Sequence, residues 1–293
     1  MEKTKQLSRH QGLGVALVLF STLCLSAEAI AAKIAYAGGA TVLTTLTLRY
    51  AVGAAVFWLL VLAGGYNFRL SRRQLGYVAA LSLGTQTLTV LALFEAFRYI
   101  PSAMAILFLY FYPTLVAILS FFFLREPFTL NKAAALVLTF SGCAVILLQP
   151  LSGLDMRGVL LALAAAVTNS VFLVGTAKLL AGIEAPVYNA YVSTFVGLAV
   201  GALALVRGQW STDFSLQALA AIVFLGLVCT VLAMAALLKG MKQIGPSLTA
   251  IISTFEPAAT AVLGFFILGE ALTAWQMAGG GIILAGVLVL RRT

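Results

Sequence analysis

Glu256 is an acidic residue in the middle of an apolar stretch, and Pro257 follows it directly. An ionised carboxylate at the centre of a membrane helix costs at least about 2.5–3.5 kcal/mol. Such a residue must face a wet cavity, pair with a cation or hold a proton. Two roles fit it: a proton or substrate-amine site, or a hydrogen-bonding strut beside the proline. Pro257 has no N–H to donate, so the carbonyl of Ser253 loses its helical partner, and Pro113 does the same to Leu109. Both prolines are candidate kinks or hinges, although prolines also kink many membrane helices without a functional role. Glu28, Lys33 and Arg49 are the other charges inside apolar runs. An ion pair of Glu28 with Arg49 would let both stay charged at lower cost than either alone, a structural role rather than a substrate contact. Tyr110 and Tyr112 stand in an aromatic run with Phe108 and Phe111, and Gln86, Asn169, Ser170, Thr230 and Ser253 place polar atoms in other apolar segments. Aromatic walls with a few amides and hydroxyls suit a small amphipathic solute. The candidate path residues are therefore Glu256, Gln86, Tyr110, Tyr112, Asn169 and Ser253.

Enzyme chemistry has little to work with. His10 is the only histidine, which excludes a Ser-His-Asp triad and a His-based zinc site. Cys24, Cys143 and Cys229 lie far apart in apolar runs and read as small hydrophobes, without metal-ligand spacing. No Gly-rich phosphate loop is followed by Lys-Ser or Lys-Thr. No cofactor or metal is expected.

The elements that must position these residues are membrane helices. Of the 293 residues 62% are apolar and 9% charged, and the mean hydropathy is +1.08; a soluble protein carries about 25% charged residues. Runs of about 20 apolar residues recur along the chain without strand-like alternation. They predict an all-α membrane protein with ten transmembrane helices, over 12–36, 40–63, 75–97, 101–124, 131–149, 158–179, 185–206, 216–239, 245–268 and 271–290. The net charge of +9 is a topology signal. With both termini inside, 13 of the 18 Lys and Arg fall on inward segments, the positive-inside pattern of a multi-pass inner-membrane protein. That placement argues against nucleic acid as a partner. The basic start, apolar run and small residues around Ser26 resemble a cleavable signal, but this segment has a partner in the second half, so it reads as a retained first helix.

That partner lies at a constant offset of 144 residues. Tyr112-Pro113, Leu119, Phe121-Phe122, Leu124, Glu126 and Thr129 shift onto Glu256-Pro257, Leu263, Phe265-Phe266, Leu268, Glu270 and Thr273. Gly14, Gly53, Ile100 and Gly142 shift onto Gly158, Gly197, Ile244 and Gly286. The chain divides into a first five-helix repeat over 1–148, a linker over 149–157 and a second repeat over 158–293. Five is odd, so the second copy starts on the opposite side of the membrane, which gives an inverted-topology pair. The two prolines are then symmetry-related interruptions near the midplane, a pointer to a transporter's binding region. Gly197 with Gly201, and Gly279, Gly280, Gly281 and Gly286, provide small faces for close helix packing, inside one copy or between two. A monomer and a homodimer are both compatible with them.

The segment with Glu256-Pro257, Phe265-Phe266-Ile267-Leu268-Gly269-Glu270, Thr273, Gln276 and Gly279 resembles the repeat of the drug/metabolite transporter superfamily, in its EamA-like ten-helix branch. The first half carries a weaker copy, with Arg125 for Gly269 and Tyr112 for Glu256. The resemblance spans essentially the whole chain, and its overall look is similar to the aromatic amino-acid exporters. It implies a secondary-active or facilitative exporter of amino acids and related metabolites, working by alternating access between two bundles in the lipid bilayer. The alternatives are an exporter of drugs or organic cations, with Glu256 as the negative site, and a non-transporting receptor or scaffold. The lack of a soluble sensing or docking domain argues against the last.

Overall fold

In the computed structural model, residues 2–100, 102–146, 155–268 and 274–290 are described. Outside them lie most of the 149–157 connection, the Gly269-Glu270 and Thr273 positions, and Arg291 and Arg292; the side chains of residues 2–10, Cys143 and Gln276 are likewise outside. Every regular element among the described residues is helical. In order they are α1 (Glu2–Ser26), α2 (Glu28–Ala37), α3 (Val42–Ala63), α4 (Arg72–Ala79), a π-helical stretch (Ala80–Gln86), α5 (Thr87–Tyr99), α6 (Ser102–Leu109), α7 (Tyr112–Leu124) and α8 (Leu130–Ile146). The second half follows with α9 (Met156–Leu179), α10 (Ala185–Val206), α11 (Leu216–Phe224), a second π-helical stretch (Leu225–Leu232), α12 (Ala233–Ser253), α13 (Glu256–Leu268) and α14 (Ala274–Leu290).

Six described helical stretches are long and apolar enough to cross a membrane: 11–37, 42–63, 72–99, 156–179, 185–206 and 216–253. The sequence predicts a single helix over 101–124, but the chain breaks between α6 and α7, leaving two short pieces. The predicted division between the helices at 216–239 and 245–268 falls at a non-helical residue, Gly245. Helical structure runs from 216 to 253, interrupted by Gly245 at φ 80°, and breaks again at Thr254–Phe255. Pro246 follows Gly245 and has no N–H to continue the first helix.

Helix starts have local causes. Thr41, Ser71 and Ser215 each accept, through the side-chain hydroxyl, the N–H three residues on. Ser71 and Gln74 complete a reciprocal capping box. Outward faces stay apolar, with Phe122, Leu198, Leu205 and Val206 exposed. Apolar side chains in these numbers on the outside fit lipid as the surrounding medium.

Packing repeats under the 144-residue shift. α1 lies on α12 as α9 lies on α5, α3 lies on α10, and α8 lies on α14. The agreement reaches single residues. A Cβ on Gly14 would meet Ile244 at 2.6 Å and Gln243 at 3.0 Å; on Gly158 it would meet Ile100 at 2.8 Å and Tyr99 at 3.0 Å. Gly14, Ile244 and Gln243 are thus replaced by Gly158, Ile100 and Tyr99, one repeat away. The Gln74 amide donates to the Gly182 carbonyl, and the Ser215 N–H donates to the carbonyl of Gly38, the repeat partner of Gly182. Gly197 and Gly201 are used inside the chain, against Tyr50 and Thr47 of α3. The π-helical stretches also recur at corresponding places. In the first, Thr87 Oγ1 donates to the Ser82 carbonyl at 2.7 Å. In the second, Thr230 Oγ1 donates to the Leu225 carbonyl at 3.0 Å. Both bonds reach back five residues and satisfy carbonyls of the widened turn. Such bulges inside α-helices are frequent at functional sites.

Candidate translocation site between broken helices

The two prolines occupy the starts of half-helices. Pro113 sits in the first turn of α7 and Pro257 is the second residue of α13. A proline there gives no N–H to the carbonyl four residues back, Leu109 for Pro113 and Ser253 for Pro257. The helices are interrupted at Tyr110–Phe111 and at Thr254–Phe255, where Phe111 and Thr254 keep right-handed dihedrals and backbone hydrogen bonds carry the chain across. A one-residue turn at Ala27, right-handed in its dihedrals, divides α1 from α2 within the 11–37 stretch. It leaves Glu28 in the first turn of α2, where a carboxylate is favoured by the helix dipole.

The two interruptions meet. The Tyr110 hydroxyl stands 2.8 Å from the Ser253 carbonyl oxygen, the one that Pro257 deprives of a donor. The same hydroxyl stands 2.9 Å from Glu256 Oε2. Tyr110 and Ser253 are buried, whereas Glu256 keeps part of its surface open. The rings of Tyr110 and Tyr112 lie 5.6 Å apart at centroid, and the Tyr112 hydroxyl is 3.5 Å from the Ala250 carbonyl. Ser170 Oγ, one residue past the half-buried Asn169 on α9, donates to the Ala166 carbonyl at 2.6 Å and reaches the Tyr112 carbonyl at 3.3 Å. In the other half Ser26, the repeat partner of Ser170, also faces a half-helix, with Thr260 Oγ1 of α13 donating to its carbonyl at 3.0 Å.

A second polar group surrounds Arg49, 2% exposed. Its Nη2 donates to Glu28 Oε2 at 2.9 Å and its Nε donates to Thr230 Oγ1 at 2.8 Å. The Tyr50 and Phe94 rings lie 5.5 and 5.4 Å from the guanidinium carbon. Nη1 is buried without a hydrogen-bond partner. Gln86, at the end of the first π-helical stretch, donates to the Tyr50 hydroxyl at 3.2 Å, and its own Oε1 is buried without a partner. Glu28 links the two groups, since its charge acts on Glu256 as well as on Arg49.

The structure therefore brings Glu256, Tyr110, Tyr112 and Ser253 into one group and Glu28 with Arg49 into a second, which Gln86 joins through Tyr50, while Asn169 is half-buried on α9. Sequence reasoning missed Tyr50 and Phe94. Aromatic residues in an apolar helix carry no mark that separates packing from stacking on a guanidinium. Lys33 has no ion pair among the described residues, and no cluster of three metal-ligating side chains occurs among them.

Two copies of the EamA-like transporter family model match the chain, over residues 12–148 and 156–292. A protein of Archaeoglobus fulgidus described as an uncharacterized transporter is 25% identical over 250 residues, covering 84% of this chain and 87% of that one. A second uncharacterized transporter of the same organism is 32% identical over 107 residues, 34% of this chain and 36% of that one. One solved crystal structure superposes with a TM-score of 0.78 at 23% identity, covering 94% of this chain and 96% of that one, and shows the same fold. Both halves match the same family model, and the polar site lies between helices contributed by the two halves: the chain is a multi-pass membrane protein of the EamA-like transporter family, within the drug/metabolite transporter superfamily.

Proposed function

We propose that the chain is an inner-membrane secondary exporter of amino acids and related metabolites that works by alternating access. Ten transmembrane helices form two inverted five-helix repeats, over 1–148 and 158–293, joined by 149–157 on the outer side, with both termini cytoplasmic. Helix packing that exchanges under the 144-residue shift supports this reading. Rocking of one bundle against the other would turn on the breaks at Tyr110–Phe111 and Thr254–Phe255.

The observation that carries the substrate class is a buried guanidinium, Arg49, and a half-buried carboxyl, Glu256, each hydrogen-bonded to the other half of the chain. Arg49 offers a donor edge at Nη1, and Glu256 offers a carboxyl within reach of an aromatic hydroxyl. A zwitterion with an apolar side chain matches such a set, and the neighbouring rings of Tyr110 and Tyr112 favour an aromatic one. A second reading, export of organic cations, is favoured by the excess of carboxyls, Glu28 and Glu256 against Arg49 alone. Counterflow into proteoliposomes with labelled amino acids and cationic dyes separates the two. Amino-acid counterflow above protein-free background is expected. Movement of dyes alone would transfer the assignment to organic cations, and movement of neither would remove both.

A further inference from the structure

We infer that Glu256, Tyr110 and the Ser253 carbonyl form a proton-binding site, and that a proton bound there is the coupling ion of transport. This rests on the family's transport function and on movement at the helix breaks, and is independent of the amino-acid assignment.

Tyr110 has one hydroxyl hydrogen and two short contacts, 2.8 Å to the Ser253 carbonyl and 2.9 Å to Glu256 Oε2. A carbonyl can only accept, and an ionised carboxylate can only accept. With Glu256 ionised, the two acceptors compete for one hydrogen. With Glu256 neutral, its own O–H donates to the Tyr110 oxygen while Tyr110 donates to Ser253, and all three groups are satisfied. Only the carboxylic acid satisfies both contacts at once.

Ionisation changes the bonding at the break. Hydrogen bonds to a charged acceptor are roughly twice as strong as neutral ones, so the Tyr110 hydrogen turns to the carboxylate. The Ser253 carbonyl then loses the donor that replaced the missing N–H of Pro257. Leaving a buried acceptor unsatisfied costs about 1–3 kcal/mol, which favours a rearrangement between α12 and the Tyr110 break. Proton binding thus holds two broken helices together, one from each half of the chain, and proton release lets them part.

The surroundings leave a place for that proton. α13 packs on α1, α6 and α14. α6 and α14 carry no titratable residue, and α1 contributes the Cys24 thiol. Glu28 of α2 acts on Glu256 by charge but is already paired with Arg49 of α3. Cys229, in the second π-helical stretch, and Tyr112 complete the nearby ionisable groups. None of the described Lys or Arg side chains forms an ion pair with Glu256. Arg49 is taken by Glu28, so the Glu256 carboxyl has no described cation to pair with, and a proton neutralises it. The step balances simply: one H⁺ from water binds Oε2, no other bond forms or breaks except hydrogen bonds, and release returns the same H⁺ to water.

The test reads the proton without any substrate. Infrared difference spectra of the purified protein, taken across a titration from acid to alkaline, should show a carboxylic-acid C=O band that converts to carboxylate. Glu256→Gln should lack that band, and Glu28→Gln should keep it. In Tyr110→Phe, which retains the carboxyl, the band should move to higher frequency because its hydrogen-bond acceptor is gone. In proteoliposomes, proton movement coupled to substrate should fall to background in Glu256→Gln and persist in Glu28→Gln. A titrating band that is the same in wild type and Glu256→Gln, or unmoved in Tyr110→Phe, would overturn the proposal. A correctly behaving band with no amino-acid transport would leave the proton site standing and remove the amino-acid assignment instead.

Discussion

Replacing Arg49 by Met tests whether charge pairing holds the centre of the bundle. The guanidinium is 2% exposed and holds Glu28 at 2.9 Å and Thr230 at 2.8 Å. Met keeps the length and apolar volume but strands the Glu28 carboxylate, whose side chain is 14% exposed. Removing one partner of a buried ion pair costs about 3–5 kcal/mol, because the remaining charge is left without compensation. At about 2 °C per kcal/mol for a chain of this size, the unfolding midpoint should fall by about 6–10 °C. The double change Glu28→Gln with Arg49→Met removes both charges together and should recover roughly half of that loss or more, a coupling expected only for groups in contact. Thermal unfolding of purified protein in one detergent, followed by tryptophan fluorescence, compares wild type, both single variants and the double variant. If Arg49→Met unfolds at the wild-type temperature, or the double variant loses the sum of the two single losses, the pair contributes no coupling and this reasoning fails.

Reporter fusions should place both termini in the cytoplasm and the 149–156 connection outside; either terminus on the outer side would end the inverted-repeat reading. Gly158→Ala puts a Cβ 2.8 Å from Ile100 and 3.0 Å from Tyr99, which should cost about 1–3 kcal/mol by overpacking. Trimming Ile100 to Ala in the same chain should recover part of it, as Ile244→Ala should for Gly14→Ala. Thermal unfolding with neither glycine sensitive would show that these helices do not approach so closely.

Much of the architecture is legible before any coordinates because the membrane restricts the choices. Every backbone polar group in lipid must be satisfied internally, so long apolar runs have to become helices, and the runs at 42–63 and 185–206 do so with nearly the expected ends. The 144-residue repeat is equally open to reading, since Gly14 and Gly158 must serve the same close contact in each half. The prolines announce an interruption but not its kind. A proline inside a helix bends it, whereas one in the first turn begins it, and composition does not separate the two. The π-helical stretches leave no mark at all: 80–86 and 225–232 are ordinary apolar sequence.

The site divides in the same way. Glu256 and Arg49 stand out in sequence because an isolated charge in an apolar run carries a cost that must be met, and Pro257 identifies the Ser253 carbonyl as lacking a donor. Which group meets each need is a question of distance in space. Tyr110 lies 143 residues from Ser253, and Thr230 lies 181 from Arg49. Local sequence carries the cost of burying a charge or freeing a carbonyl, because both depend on the residue and its immediate chain. Only the packed bundle supplies the partner, because hydrogen bonds act over about 3 Å and bring together segments that the chain alone leaves unrelated.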